Sequence, residues 1–338
     1  MMMKIIARLI NVEDGTSFYR GHGPLTELHK TNRLVHVDFT PEINFINAKG
    51  YDMAFFQRPF HPVHIKEMKT CKEMNMPIVV DYDDNYYNVP TNNNFYMLNK
   101  VTKCDVKAGI DECLELADKI IVSTEYLKKV YKHEDKTYVV NNAWDDNVFT
   151  LPCKVNMEKK VLWRGGESHS IDFAVFEDSL NKIVTDNKDF EFYFLGCPAQ
   201  SLSQHKNVTT MPLMTVGRYF NVIREMKPSL VLVPLDERPF NLSKSNIAKI
   251  EATMCGALSV CPNWSEWKWD ENEMNLDNEH LYNNVAEFTK QSNFLIDRFR
   301  TNDRTLQLDY EYLRDFMTFR YSLKAMNSKR YNILSGGR

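Results

Sequence analysis

Short apolar runs alternate with helix-like stretches along most of the chain, and this alternation restricts the fold more than any other feature of the sequence. Strands are predicted at Lys4–Ile10, Leu34–Val37, Met53–Gln57, Ile78–Asp81, Lys119–Ser123 and Tyr138–Val140. Helical patterns fall between them, at 22–30, 62–75, 103–117 and 124–132. A second series opens after Lys159, with strands at Val161–Arg164, Phe190–Leu195, Val208–Met211, Leu230–Pro234 and Leu258–Cys261. Its helices lie near 171–185, 215–226 and 244–255. Such a pattern requires parallel sheets covered on both faces by right-handed crossovers, so the expected class is α/β. With 338 residues the chain can bury two separate cores. Asn141–Lys160 is polar and turn-rich without a clean period, which places a linker there, between a domain of 1–150 and one of 151–304. Two doubly wound domains facing each other would bind ligands in a cleft at the carboxyl ends of both sheets.

Composition excludes several classes. Hydrophobic content of 43% and charged content of 26% are ordinary for a globular protein. A net charge of −3 gives no overall pull toward nucleic acid or anionic membrane. The opening MMMKIIARLI is too short and too interrupted by Arg8 for a signal peptide, and no run reaches the length of a membrane span. The seven cysteines (71, 104, 113, 153, 197, 255, 261) form no C-x-x-C pair, which fits reduced thiols in a cytoplasmic protein. Abundant Asn, Lys and Met fit an AT-rich genome such as a phage.

The stretch Phe240–Val260 carries the most chemistry. It follows the apolar run Leu230–Pro234, and Ser243, Lys244, Ser245 and Asn246 offer N-cap groups and a cation where a helix should begin. Lys244 and Glu251 are seven residues apart, on one helix face and separated by about 10 Å of rise. A cation and free amides at a helix mouth suit a diphosphate, and a carboxylate two turns deeper could accept both hydroxyls of a ribose. Spacing alone equally allows a solvated lysine and an ordinary surface glutamate.

The segment Pro234–Gly256, with Phe-Asn, Lys-Ser, Lys and Glu-Ala-x-x-x-Gly in order, resembles the donor-binding segment of GT-B glycosyltransferases, in particular bacterial and phage members of the retaining, family-4-like group. The resemblance implies two Rossmann-like domains across a cleft, with 305–338 crossing back to complete the first. It also implies retention of anomeric configuration, no obligatory metal or other cofactor, a UDP- or GDP-linked sugar as donor and a hydroxyl-bearing acceptor. Lys244 would contact the donor diphosphate and Glu251 the ribose. Many relatives carry a second glutamate eight positions earlier, where this chain has Ser243, so no role of that glutamate transfers.

Further candidates sit at other strand ends. Arg164, Gly165 and Gly166 form a turn in which glycine amides could approach a diphosphate and Arg164 could bind it bidentately. Met211–Val216 occupies the region where relatives hold the nucleobase. Gly15, Thr16, Tyr19 and Arg20 follow the first strand, where relatives have a glycine-containing loop. Arg58 and His61 end the third strand and could orient sugar hydroxyls or shuttle a proton; His61 could equally cap a helix. His22 and His36 have weaker claims.

Asp81-Tyr82-Asp83-Asp84 supports a competing reading, a GT-A-like transferase holding a metal through Asp81 and Asp83. The preferred assignment places Asp83 and Asp84 beside the acceptor, with Asp84 available as a base. Non-hydrolysing sugar-nucleotide epimerases share the GT-B architecture, and a non-enzymatic binding module is a third alternative. Arg298, Arg300, Arg304, Arg314, Arg320, Lys324, Lys329, Arg330 and Arg338 interleave with aromatic residues and could touch nucleic acid, as in phage enzymes that glycosylate modified DNA bases. The preferred reading is a solvated helix face whose aromatic side is packed.

Overall fold

The computed structural model describes residues 2–11, 14–91, 105–166, 169–196, 199–268 and 277–336. Strands β1 (Met3–Arg8), β2 (Val35–Thr40), β3 (Met53–Gln57), β4 (Ile78–Tyr82), β5 (Lys119–Val122) and β6 (Thr137–Val139) form one parallel sheet in the order β2-β1-β3-β4-β5-β6. Every residue of β3 and β4 is buried, as befits central strands covered on both faces. Successive side chains go to opposite sides. Phe56 and Val80 meet Met68, Cys71 and Ile110 from helices α3 (Pro62–Glu73) and α4 (Val106–Leu116). Phe55 and Val79 meet Leu25 and Leu28 from α2 (His22–Thr31), together with Ile333 and Leu334 near the chain's end.

The second sheet, also parallel, runs β12-β11-β10-β7-β8-β9. It contains β7 (Lys160–Arg164), β8 (Glu191–Leu195), β9 (Val208–Met211), β10 (Leu230–Leu232), β11 (Leu258–Pro262) and β12 (Leu281–Tyr282). Around it pack α6 (Ser170–Asp186), α7 (Val216–Met226), the short α8 (Pro239–Leu242), α9 (Ile247–Met254) and α11 (Val285–Arg300). α5 (Glu125–Tyr131) belongs to the first domain and the short α10 (Asp277–His280) precedes β12. In both sheets the strand order reverses at a central strand, where ligands of such folds bind.

The structure differs from expectation in several places. Gly15–Arg20 is a helix, α1, rather than a loop, because Asp14 caps it by accepting from Ser17 N at 2.6 Å. α12 (Thr305–Tyr321) stays with the second domain, burying Leu306, Tyr310, Leu313 and Met317 in its core. The chain crosses back at Ser322, not at 305, and only α13 (Leu323–Ser335) packs on the first domain, where Asn327 Nδ2 donates to Pro24 O at 2.9 Å. At the crossing Trp144 N donates to Tyr321 O and Leu323 N to Trp144 O, each at 2.9 Å. The two passages between domains are therefore bonded to each other.

The C-terminal basic residues are largely engaged. Arg298 pairs with Glu279, Asp303 and Asp309 at 2.9, 2.8 and 2.7 Å, Arg300 pairs with Asp189 at 3.0 Å, and Arg330 is buried. Arg338, Cys104, Cys197 and positions 103–104 of the helix expected at 103–117 lie outside the described residues. No helix among the described residues is long and apolar enough to cross a membrane.

Candidate active site

A cleft of about 440 Å³ lies where the carboxyl ends of the two sheets face each other. On the second-domain side, β7 ends at Arg164 and the chain turns through Gly165 and Gly166 toward α6. Gly196, after β8, has φ +75°, and a Cβ there would come within 2.4 Å of Gly165 O. Two strand-to-helix turns thus touch backbone to backbone, which only glycine permits at that conformation.

Glu251, on α9, is 5% exposed and is clasped from three sides. Its Oε1 accepts from Tyr19 Oη at 2.8 Å, its Oε2 accepts from Tyr219 Oη at 2.7 Å, and Arg164 Nε lies 2.8 Å from Oε2. Burial, reinforced by the Glu251 charge, pushes both phenols well above their ordinary range, so they serve as donors. Burial works against the Arg164 charge, but Glu251, with Tyr219 and Tyr19, outweighs it and the guanidinium is held protonated. Arg164 Nη2 is buried without a hydrogen-bond partner among the described residues. That donor is available to an anion entering the cleft.

Lys244 reaches the same cleft from the turn between α8 and α9. Its Nζ sits 4.5 Å above the Phe240 ring and 3.8 Å from Asp84 Oδ1 of the first domain. Burial raises the Asp84 carboxyl above its usual range, with Lys244 opposing. Ser245 lines the cleft too, its Oγ accepting from Asn142 Nδ2 at 2.6 Å. Ser243 and Asn246 do not line it. Pro239–Leu242 forms its own turn, closed by Ser243 Oγ donating to Phe240 O at 2.6 Å, so helix α9 starts later than expected and Ser243 is fully buried. Asn246 is buried at the head of α9 and makes no side-chain cap bond.

From the first domain, Gly15, Thr16, Tyr19, Asp83 and Asp84 line the cleft. Arg20 backs its wall but is fully buried, with Nε and Nη2 both 2.9 Å from the two Asp81 oxygens. Asp81 is therefore committed to a guanidinium, and Asp83 Oδ1 accepts from Tyr86 Oη at 2.6 Å. The arrangement required for a metal held by Asp81 and Asp83 is not present in this structure. Arg58 and His61 lie outside the lining. Arg58 instead steadies the cap of α1, with Nη2 2.8 Å from Asp14 Oδ2. His61 caps α3, accepting from Val63 N at 3.3 Å. Among the described residues, Glu279, His280 and Asp309 have ligand atoms within 4.8 Å of one another, but Arg298 already pairs with both acids and none of the three lines the cleft.

Sequence reasoning missed four cleft or near-cleft groups. Tyr219 holds Glu251 from the first turn of α7, a tertiary contact without a local signature. His169 also lines the cleft, and its Nδ1 is 2.8 Å from Asp172 Oδ2. Asp172 in turn holds Arg238, which belongs to the turn before α8. The i,i+3 pairing of His169 and Asp172 at a helix start is the one signal that could have been read.

No family model matches the sequence, and no curated protein matches it either. Solved structures do. The catalytic domain of starch synthase IV from Arabidopsis thaliana, bound to ADP and acarbose, matches with a TM-score of 0.67 at 9% identity, over 100% of this chain and 99% of that one. Anabaena HepE, in complex with UDP and glucose, matches with a TM-score of 0.64 at 13% identity, over 99% of this chain and 100% of that one. A glycosyltransferase from Rickettsia africae matches with a TM-score of 0.61 at 13% identity, over 98% and 97%. With two six-stranded parallel sheets facing across a cleft and these structures alike over their whole length, the chain has the two-domain, Rossmann-like GT-B fold.

Proposed function

We propose that the protein is a glycosyltransferase that moves a sugar from a nucleoside diphosphate donor, UDP- or GDP-linked, to a hydroxyl of an acceptor. The observation that carries this reading is the convergence of Arg164, at the end of β7, with Lys244 and Glu251, both from the crossover that follows β10, on one cleft, with Arg164 Nη2 left unpartnered among the described residues. Fold alone would not suffice, since doubly wound domains host many activities. Further support comes from HepE and starch synthase IV, whose structures hold a nucleoside diphosphate together with a sugar.

In this reading the diphosphate lies between Arg164 and Lys244, over the amides of Gly165 and Gly166, and the ribose hydroxyls exchange with the phenols on Glu251. As the bond between sugar and diphosphate breaks, its electron pair passes to the departing phosphate oxygen, and the two cations stabilise the charge that collects there. The acceptor hydroxyl enters from the first-domain side, between Thr16 and Asp84. Contact between the domains excludes water and limits hydrolysis. We assign retention of configuration and independence from metal to the same reading.

A thermal-shift screen of UDP, GDP, ADP and their sugars, with and without manganese, tests it. One nucleotide series should stabilise the protein without the metal, and Glu251→Ala should erase that gain; a gain that persists in Glu251→Ala misplaces the donor site. Turnover of donor without acceptor would identify an epimerase, and tight binding with no transfer to any hydroxyl would identify a binding module. Duplex DNA bearing hydroxymethylated bases is expected to receive no label from the donor.

A further inference from the structure

His169 stands where the turn after β7 meets the cleft, and the donor chemistry above makes no use of it. Its ring lies against Gly165 so closely that a Cβ there would fall 2.8 Å from His169 Cδ2. It shares the cleft wall with Arg164 and Lys244. Asp172, itself fully buried, faces Nδ1 at 2.8 Å with one carboxylate oxygen. The other oxygen accepts from Arg238 Nη2 at 2.5 Å and from Asn241 Nδ2 at 2.7 Å. The carboxylate is thus fixed from behind and presents a single acceptor to the ring, which makes Nδ1 the protonated nitrogen. Nε2 is left for what enters the cleft.

The charged groups facing the ring are Asp172 of α6, Arg164 of β7 and Lys244 from the turn before α9. Arg238 and Asp236 act on it through Asp172. Burial, with the Lys244 and Arg164 cations, holds the imidazole below its ordinary range against the pull of Asp172. A diphosphate placed beside those cations reverses the balance, since its negative charges favour a third positive group at the same wall.

We propose that His169 binds the donor diphosphate as an imidazolium, so that each nucleotide sugar enters the cleft together with one proton. The proton comes from solvent, settles on Nε2 and hydrogen-bonds a phosphate oxygen; Asp172 is the positioning residue. The inference rests on the transferase reading of this cleft and deepens it. A nucleotide sugar has no phosphate ionisation near neutrality, so proton uptake on binding reports the protein alone.

The experiment is calorimetric titration near neutral pH in two buffers of unlike ionisation enthalpy. The ligand is whichever of UDP-glucose, ADP-glucose and GDP-mannose gives the largest thermal shift. Wild type should take up between about half a proton and one, and its affinity should rise about fivefold or more from pH ~8.5 to pH ~6. His169→Gln should bind without uptake and with affinity independent of pH. Asp172→Asn should move the midpoint of the affinity profile to lower pH, a shift that a purely structural role would not produce. If either variant fails to fold, uptake and pH dependence in wild type still decide. Binding without uptake, or uptake that survives in His169→Gln, overturns the assignment to His169 and leaves the transferase reading standing. Failure of all three donors to bind overturns both.

Discussion

Tyr19 Oη donates to Glu251 Oε1 at 2.8 Å, joining a helix of the first domain to a helix of the second. The phenol occupies the carboxylate that the donor ribose is expected to use, so bond formation with the nucleotide must displace it. A hydrogen bond to a charged group is worth about 1.5–3 kcal/mol. Tyr19→Phe is accordingly expected to raise nucleotide affinity by about tenfold to a hundredfold, read by titration calorimetry, while leaving the melting temperature within a few degrees. Equal or weaker affinity in the variant would show that the phenol does not compete with the ligand.

Glu251→Gln keeps the side chain's shape but removes the charge that Arg164 faces at 2.8 Å. The loss of charge-assisted bonds predicts nucleotide affinity about tenfold to a hundredfold lower. Transfer should fall by at least the same factor. Circular dichroism should be unchanged, since one of the phenols of Tyr19 and Tyr219 can still donate to the amide oxygen and the other can turn to accept from the amide nitrogen. Wild-type affinity in this variant would remove Glu251 from the donor site.

Two glycine substitutions separate folding from ligand binding. At Gly196 an alanine meets both φ +75° and the Gly165 carbonyl 2.4 Å away, so Gly196→Ala should cost about 1–2 kcal/mol or more in urea unfolding. At Gly165 the nearest obstacle is the His169 ring, 2.8 Å from the added carbon, and a side chain can turn aside. Gly165→Ala should therefore fold with a smaller loss and bind nucleotide poorly. The reverse order of stabilities would contradict this account of the two turns.

Asp172 also shapes acid stability. Burial pushes its carboxyl up, but His169, Asp236 and Arg238 together outweigh burial and hold it at about 2, while burial and Asp172 push the neighbouring Asp236 carboxyl up. A pKa below the unfolded value of about 3.9 means that the contribution is complete above that pH and is lost as the pH falls through ~2. Its size is at most about 2.5 kcal/mol, part of it offset by Asp236. Urea midpoints of wild type should drop across this window, and those of Asp172→Asn should drop less. Parallel curves would place the acid-sensitive group elsewhere.

Much of the architecture was legible because its signals are local. Met53–Gln57 is found where its apolar run places it, since a strand buried on both faces needs little besides apolar residues, and Val208–Met211, an edge strand with both threonines exposed, is placed by its β-branched residues. α1 was missed because GTSFYR is short and has no apolar stripe, and its cap bond depends on Asp14 one residue earlier. β12, only Leu281–Tyr282, is too short to carry a period. In the site, Lys244, Glu251 and Arg164 announced themselves by position relative to strands and glycines. Ser243 did not behave as its hydroxyl suggested, because the turn of Pro239–Leu242 claimed it first. Tyr219 and Arg238 are brought in by tertiary packing, and no spacing in the chain marks them.

The bonded pair of crossings at Trp144 and Tyr321–Leu323 bears on how a donor gets in. Two passages pinned together along one edge act like the spine of a book: the covers can swing but cannot slide past each other. On the proposed reading, parting Tyr19 from Glu251 to admit a nucleotide is expected to be a rotation about the passages at Trp144, and each donor must turn that page.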